Sequence, residues 1–281
     1  MEELIKSILD RIVDAYSIHT YDQVEMLVYT VFLCFFLVLF GLIWGSFTDC
    51  AVSRWAAGKK NLFTGRSHCL SCGHTLNLLD LFPVVGFIAR RGRCHYCGEK
   101  IPADCLAAEL AGAVGFGLVG WRFGPTLALG QWLIWAAVLL VLSLTDAAKR
   151  IIPDRLHLVL AANRLIWFFI LREGPDTVWG ILRAMIVPVA LLALVLLAEK
   201  LLKRELMGGG DVKLMFALAL YLSWAQLLLT LLAGCVLGLI FAALAKVRHG
   251  TAMPFGPFLA AGAVAVVCFA DPLIEWYFSL F

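Results

Sequence analysis

The chain has 281 residues, of which 62% are hydrophobic and only 15% charged, and it carries a net charge of +3. Soluble domains sit near half apolar and a quarter charged, so this balance excludes an ordinary soluble domain. So small a net charge gives no reason to expect a nucleic-acid partner, and none is expected. The apolar residues come in blocks of about twenty, the length that crosses a hydrocarbon core, so the partner to expect is a lipid bilayer.

Residues 1–25 are polar and mixed in charge, lacking the basic start and immediate apolar core of a cleavable signal, and read as an N-terminal extracytoplasmic segment. A first transmembrane helix is predicted over 26–47, followed by a hydrophilic loop over 48–105. Apolar blocks then run over 106–121, 125–145, 156–171, 178–198, 212–223, 225–245 and 257–270. The expected fold is an all-α polytopic membrane bundle of about eight transmembrane helices, with 106–281 as its main body. Block 106–121 is glycine-rich and carries Glu109, and 212–223 is short for a full crossing. Merging 212–223 with the block after it leaves seven spans.

Charge orients the bundle. Loop 54–105 holds eight basic residues, Arg54, Lys59, Lys60, Arg66, Arg90, Arg91, Arg93 and Lys100, against Asp80, Glu99 and Asp104. With eight spans, Lys149, Arg150, Arg155, Lys200, Lys203, Arg204, Lys246 and Arg248 fall on the same side. The opposite side has Arg122 and Arg172 with Glu173 and Asp176. The basic side is expected to face the cytoplasm.

Within the loop, His68-Cys69-Leu70-Ser71-Cys72-Gly73 is followed by Cys94-His95-Tyr96-Cys97-Gly98. Each CxxC turn offers two thiolates to one tetrahedral metal, and two such knuckles form a closed structural zinc site. Cys69, Cys72, Cys94 and Cys97 are the predicted ligands of a Zn²⁺ ion in a zinc-ribbon-like loop. A reducing compartment argues against disulfides. His68, His74 and His95 are competing ligands, and Arg90, Arg91 and Arg93 read as a solvated, headgroup-facing run.

Ionisable residues at the ends of apolar spans are functional candidates. Asp146 ends one apolar run, and Asp211 follows Gly208-Gly209-Gly210 and opens another. Both are expected at the cytoplasmic boundary on different helices, where two carboxylates can meet, one keeping its proton while the other acts as base. The glycines allow a close backbone approach. Each acid also has a plainer reading: Asp211 and Asp154 as helix N-caps, Asp146 as a partner of Lys149 or Arg150, and Glu109 as the partner of a loop arginine.

Together these features resemble the bacterial type IV prepilin peptidases. The resemblance rests on Gly208-Gly209-Gly210-Asp211 with Val212-Lys213-Leu214 after it, and on Asp146 with Pro153-Asp154 downstream. It rests also on Gly45-Ser46-Phe47 with Arg54, the two CxxC knuckles enclosing Leu79-Asp80-Leu81 and Pro83, and Pro254-Phe255-Gly256-Pro257-Phe258. It implies that 106–281 is a transmembrane aspartyl peptidase domain with Asp146 and Asp211 catalytic, supported by Gly208, Gly210, Asp154 and Glu109. The implied substrates are prepilins or pseudopilins, cut behind a short basic leader at the cytoplasmic face of a bacterial inner membrane. Many members also methylate the new N-terminus from S-adenosylmethionine, an activity associated with the loop. Thr48-Asp49 and Ala103-Asp104-Cys105 depart from the family's usual leucine-asparagine and arginine-tyrosine-proline, and both flank that loop. Competing readings are another GxGD-type intramembrane protease and a non-catalytic zinc-containing assembly factor of a pilus or secretion system.

Overall fold

The computed structural model describes residues 2–59, 61–62, 67–69, 71–77, 80–203, 207–246 and 253–279, without the side chains of 2–24 and 278. Lys60, Arg66, Leu79, Arg204 and Arg248, used above for orientation and motif, lie outside the described residues. The helices are α1 Glu2–Ala56, α2 Val85–Ala89, α3 Ala103–Phe123, α4 Leu129–Lys149, α5 Asp154–Ile170, α6 Pro175–Ala184, α7 Ile186–Leu202, α8 Gly209–Leu218, α9 Trp224–Leu244, α10 Gly256–Phe269 and α11 Asp271–Phe278. Among the described residues there is no strand, only two isolated bridges, His68–Thr75 and Arg93–Lys100.

Among the described residues five helical stretches are long and apolar enough to cross a membrane: Glu25–Ala56 of α1, all of α3, all of α4, α6 and α7 together, and α9. The pair α10–α11, bent by 69°, raises the number to six if it is one span. The glycine-rich 106–121 block therefore lies in a spanning-length helix. The 17 residues of α5 and the 10 of α8 fall short of that length test. At 1.5 Å per residue α8 is about 15 Å long, half of a ~30 Å hydrocarbon core.

Helix α4 lies at the centre. Its Trp135, Leu139 and Leu142 are buried with Leu160 of α5, Leu214, Met215 and Leu218 of α8, and Leu259 and Ala263 of α10. Against it, α1 and α3 pack backbone to backbone. A Cβ on Gly41 would stand 2.4 Å from the Gly112 carbonyl oxygen, and one on Gly45 would stand 2.3 Å from that of Ala108. Small residues one turn apart are the usual means of close helix approach in lipid, where dispersion replaces the hydrophobic drive. The glycines that dilute the hydropathy of 106–121 are thus the contact face of α3.

The inner end of α8 shows how so short a helix is tolerated. Its chain leaves helical geometry at Ala219–Ser223, where orphan carbonyls need partners. Arg164 Nε donates to the Leu220 carbonyl at 2.8 Å, and Arg164 pairs with Glu173. Asn163 Nδ2 donates to the Tyr221 hydroxyl at 2.9 Å, which in turn donates to the Leu160 carbonyl at 2.6 Å. A Ser223–Gln226 capping box then starts α9. Helix α5 therefore carries the polar groups that let α8 stop inside the bundle.

The α1–α3 contact yields a paired expectation. Gly112→Val drives a side chain into the Gly41 carbonyl oxygen, 2.2 Å from the new Cβ. It should cost about 1–3 kcal/mol of stability, read as a lowered unfolding midpoint in detergent. Gly115→Ala meets nothing within 4 Å and should be neutral or stabilising by up to about 1 kcal/mol.

Candidate active site and metal centre

Several helix ends converge at one end of the bundle. The end of α4 is tied to the end of α1 by Lys149 over the Trp55 ring, 5.0 Å from its centroid. The start of α8 is tied to the start of α5 by a Lys213–Asp154 ion pair at 2.7 Å. The start of α10 lies on α4, because the Gly256 backbone N–H donates to Asp146 Oδ2 at 2.9 Å.

Asp146 and Asp211 are both buried, 6% and 9% exposed, and the Asp146 charge acts on Asp211. Neither takes its plainer role. Asp146 is bonded to the Gly256 N–H and feels Arg150 only at a distance. Asp211 lies in the first turn of α8, whose N-cap is Gly208, and its side chain makes no capping bond. Its Oδ1 is buried and has no hydrogen-bond partner among the described residues. The N-cap of α5 is Pro153, so Asp154 is not a cap either.

The glycines before Asp211 have distinct jobs. A Cβ on Gly208 would lie 3.2 Å from Asp211 Oδ2, and one on Gly210 would lie 3.2–3.3 Å from three atoms of the Ile152 side chain. One on Gly209 meets nothing within 4 Å. Gly208 and Gly210 are thus set by close approach, and the residue between them is free. Gly256 is tighter than these three, since a Cβ there would fall 2.8 Å from Asp146 Oδ2.

The residue that sequence reasoning passed over is His157. It lies one turn along α5 from Asp154, has both ring nitrogens buried, and feels Asp154, Lys213 and the backbone of Gly210. Its i, i+3 spacing from Asp154 was the available signal. Lys213 and Gly256 were quoted only as parts of motifs, and their roles come from contacts 59 and 110 residues away in sequence.

Glu109 stands apart from these acids. It is buried and accepts the backbone N–H of Val84 at 2.7 Å, with Cys105 Sγ at 3.9 Å from its other oxygen. Its loop partner is a backbone amide, not an arginine. Val84 takes φ +61°, an unusual conformation for a β-branched residue, and the Glu109 carboxylate holds it there.

In the loop the two knuckles repeat each other. Cys69 N–H donates to the His74 carbonyl at 2.9 Å, and Cys94 N–H to that of Glu99 at 2.8 Å. Gly73 and Gly98 close the turns at φ +71° and +72° and donate back to Cys69 and Cys94. The four sulfurs lie within 4.8 Å of one another, and Cys69 and Cys97 are 3.8 Å apart. Four Zn–S bonds of ~2.3 Å in a tetrahedron place sulfurs ~3.8 Å apart, so these residues fit a zinc ion. The backbone N–H groups of Cys72 and Ser71 draw the Cys69 thiol down to about 6, preparing a thiolate. The histidines are outside the cluster: His74 stacks on Tyr96, and His95 Nδ1 lies 3.1 Å from Arg90 Nη1. Arg90 also pairs with Asp80 at 3.1 Å. It is a strut between the knuckles and the 77–91 segment, which corrects its reading as part of a headgroup-facing run.

Two family profiles match the chain, the bacterial peptidase A24 N-terminal domain over residues 39–123 and the type IV leader peptidase family over 133–243. The chain belongs to the type IV leader peptidase family. It is 31% identical over 268 residues to a prepilin leader peptidase/N-methyltransferase of Pseudomonas aeruginosa, covering 85% of this chain and 91% of that one. It is 30% identical over 254 residues to one of Bacillus subtilis, covering 87% and 97%. A third, of Stutzerimonas stutzeri, is 32% identical over 228 residues, covering 79% and 78%. No solved structure matches. The chain is thus an integral membrane peptidase. The first profile contains the cysteines and Glu109, and the second contains Asp146, Asp154 and Asp211.

Two outcomes are expected. In Gly256→Ala the new methyl displaces the Asp146 carboxylate, and if that carboxylate reacts, peptidase turnover should fall about 10²-fold, the effect of a ~1 Å misplacement. Gly209→Ala should stay within about twofold. Metal analysis of the purified chain should give one zinc per molecule, lost in Cys94→Ser. Binding should weaken as pH falls, because thiols must lose protons to ligate.

Proposed function

We propose that this chain is a membrane aspartyl endopeptidase that removes the short basic leader of type IV prepilins or pseudopilins, with Asp146 and Asp211 as its catalytic pair. The observation that carries the reading is that two buried carboxylates, the charge of one acting on the other, lie at helix ends inside the family-matched region. Gly208, Gly210 and Gly256 leave them room. The names of the relatives supply the substrate class.

In this reading a water lies between the two carboxylates. One removes its proton while the oxygen attacks the scissile carbonyl carbon, and the other hydrogen-bonds the carbonyl oxygen and gives up its proton. Collapse of the tetrahedral intermediate breaks the C–N bond, with a proton delivered to the departing amine. The products are a leader with a free carboxylate and a mature chain with a free amino terminus. The unpartnered Oδ1 of Asp211 supports this residue as the one that holds the water, since Asp146 Oδ2 is already occupied by Gly256. Asp154, exposed and paired with Lys213, holds the start of α8 against α5 at the rim and offers a carboxylate to a basic leader. Glu109, buried against Val84, acts by holding the loop.

The eight apolar blocks of the sequence correspond to α1, α3, α4, α5, α6 with α7, α8, α9 and α10. Eight crossings result if α5, α8 and the bent α10–α11 pair each cross in addition to the five spanning-length stretches. The excess of basic residues at the loop end supports a cytoplasmic active site in a bacterial inner membrane. Cys69, Cys72, Cys94 and Cys97 would hold a structural zinc ion, which fixes the loop and leaves no open position for catalysis. A second activity, methylation of the new amine with S-adenosylmethionine as co-substrate, is favoured by the names of the relatives.

Cleavage of a prepilin-like substrate in reconstituted membranes tests the reading. Asp146→Asn and Asp211→Asn should each lower turnover by at least about 10²–10⁴-fold with insertion and folding unchanged. If both variants still cut, the acids are structural and the aspartyl mechanism is wrong.

A further inference from the structure

Away from the acids, helices α6, α7 and α9 enclose a groove of about 570 Å³ with almost no polar lining. Val187, Leu191 and Leu194 form one wall, and Trp224 and Leu228 the other, with Arg183 at one end. Arg183 is exposed and, among the described residues, has no ion pair or hydrogen bond.

Its depth is set by the helix it occupies. Helices α6 and α7 form one apolar stretch of 28 residues, Pro175–Leu202, whereas a hydrocarbon core takes about 20. Glu199, Lys200 and Lys203 mark one boundary. Counting about 20 residues back from Glu199 reaches Trp179, an exposed aromatic of the kind found at membrane interfaces. Arg183 then lies one turn inside the opposite boundary, where a long side chain reaches back to the headgroups. From Arg183 to Leu194 the wall runs about 16 Å, one half of the ~30 Å hydrocarbon core.

We infer that this groove binds one phospholipid, its phosphate held by Arg183 and one acyl chain lying along Val187, Leu191, Leu194 and Leu228. A guanidinium without a carboxylate is complementary to a phosphate, which it grips through a planar fork of donors. The apolar lining beside an unpaired guanidinium matches an acyl chain joined to a phosphate, whereas a helix of a protein partner would have to bring a carboxylate to Arg183. The site is independent of the peptidase reading, because its partner is lipid and its residues are not those of the proposed dyad.

The test is retention of phospholipid by the chain purified from nanodiscs of phosphatidylethanolamine and phosphatidylglycerol, counted by native mass spectrometry. The wild type should keep one phospholipid per chain. Arg183→Gln should lower its affinity about tenfold, the loss of a charge-assisted contact. Arg183→Lys should keep most of it. Ala190→Trp, which fills the groove and leaves Arg183 in place, should also lose it. A wild type that keeps no phospholipid, or Gln and Trp variants that keep as much as wild type, would overturn the site. So would a photo-crosslinker at Ala190 that captures a prepilin-like helix and no lipid.

Discussion

The hydrogen bond from the Gly256 N–H to Asp146 Oδ2 is the contact on which the site depends. A carboxylate buried at the end of an apolar bundle needs donors, and a donor on the main chain serves only if nothing stands between the two strands of backbone. Gly256 meets that condition, and it is delivered by a second close approach. A Cβ on Gly262 of α10 would come within 3.0 Å of the Thr230 carbonyl oxygen and the Gly234 nitrogen of α9. Helix α10 is thereby pressed onto α9 at one level and onto Asp146 at another. The two acids end up unequal. Asp146 has a fixed main-chain partner, whereas Asp211 Oδ1 has none among the described residues, so it is the oxygen open to a water or a substrate amide.

The half-length of α8 has the same origin. To bring Asp211 to the level of Asp146, its helix must start at the boundary, pass Ile152 at Gly210, and stop where α5 offers Arg164 and Asn163. A full-length helix here would lack the turn at Ala219–Ser223 and the polar contacts that secure it. Helix α5 therefore carries the ties to α8 at both ends: Asp154 to Lys213 at the rim, and Arg164 to the Leu220 carbonyl inside.

Much of this was legible in residues and some was not. Each apolar block corresponds to helix, with 178–198 divided between α6 and α7, because a long apolar run in lipid must satisfy its backbone internally. The four cysteines were legible because a tetrahedral metal dictates both spacing and residue type. Asp146 and Asp211 stood out because charge at the end of an apolar run is rare. What sequence left open was length and partnership. Among the described residues the test of spanning length is passed by five helical stretches, or six with the bent pair, and the short α8 ends on contacts from α5 that no local pattern encodes. Glu109 was readable as a structural acid, but its partner, the amide of Val84, depends on how the loop folds back over 25 residues. The glycine content of α3 lowered its apparent apolarity for the very reason that it packs so closely.

The same contact between Glu109 and Val84 ties the four-cysteine loop to the helical bundle. Val84 is a β-branched residue at φ +61°, a conformation that costs about 1–3 kcal/mol unless its surroundings enforce it. A buried carboxylate accepting its N–H contributes about 1.5–3 kcal/mol, enough to offset that cost. From there the connection runs in both directions. Through Asp80, Arg90 and His95 it reaches the second knuckle. Through α3 it reaches α1, where Gly45 lies on Ala108 and Glu109, and then Trp55 under Lys149, three residues beyond Asp146. Each step is a short contact between rigid pieces, so thiolates drawn together by a metal would stiffen the end of α4 without touching the acids.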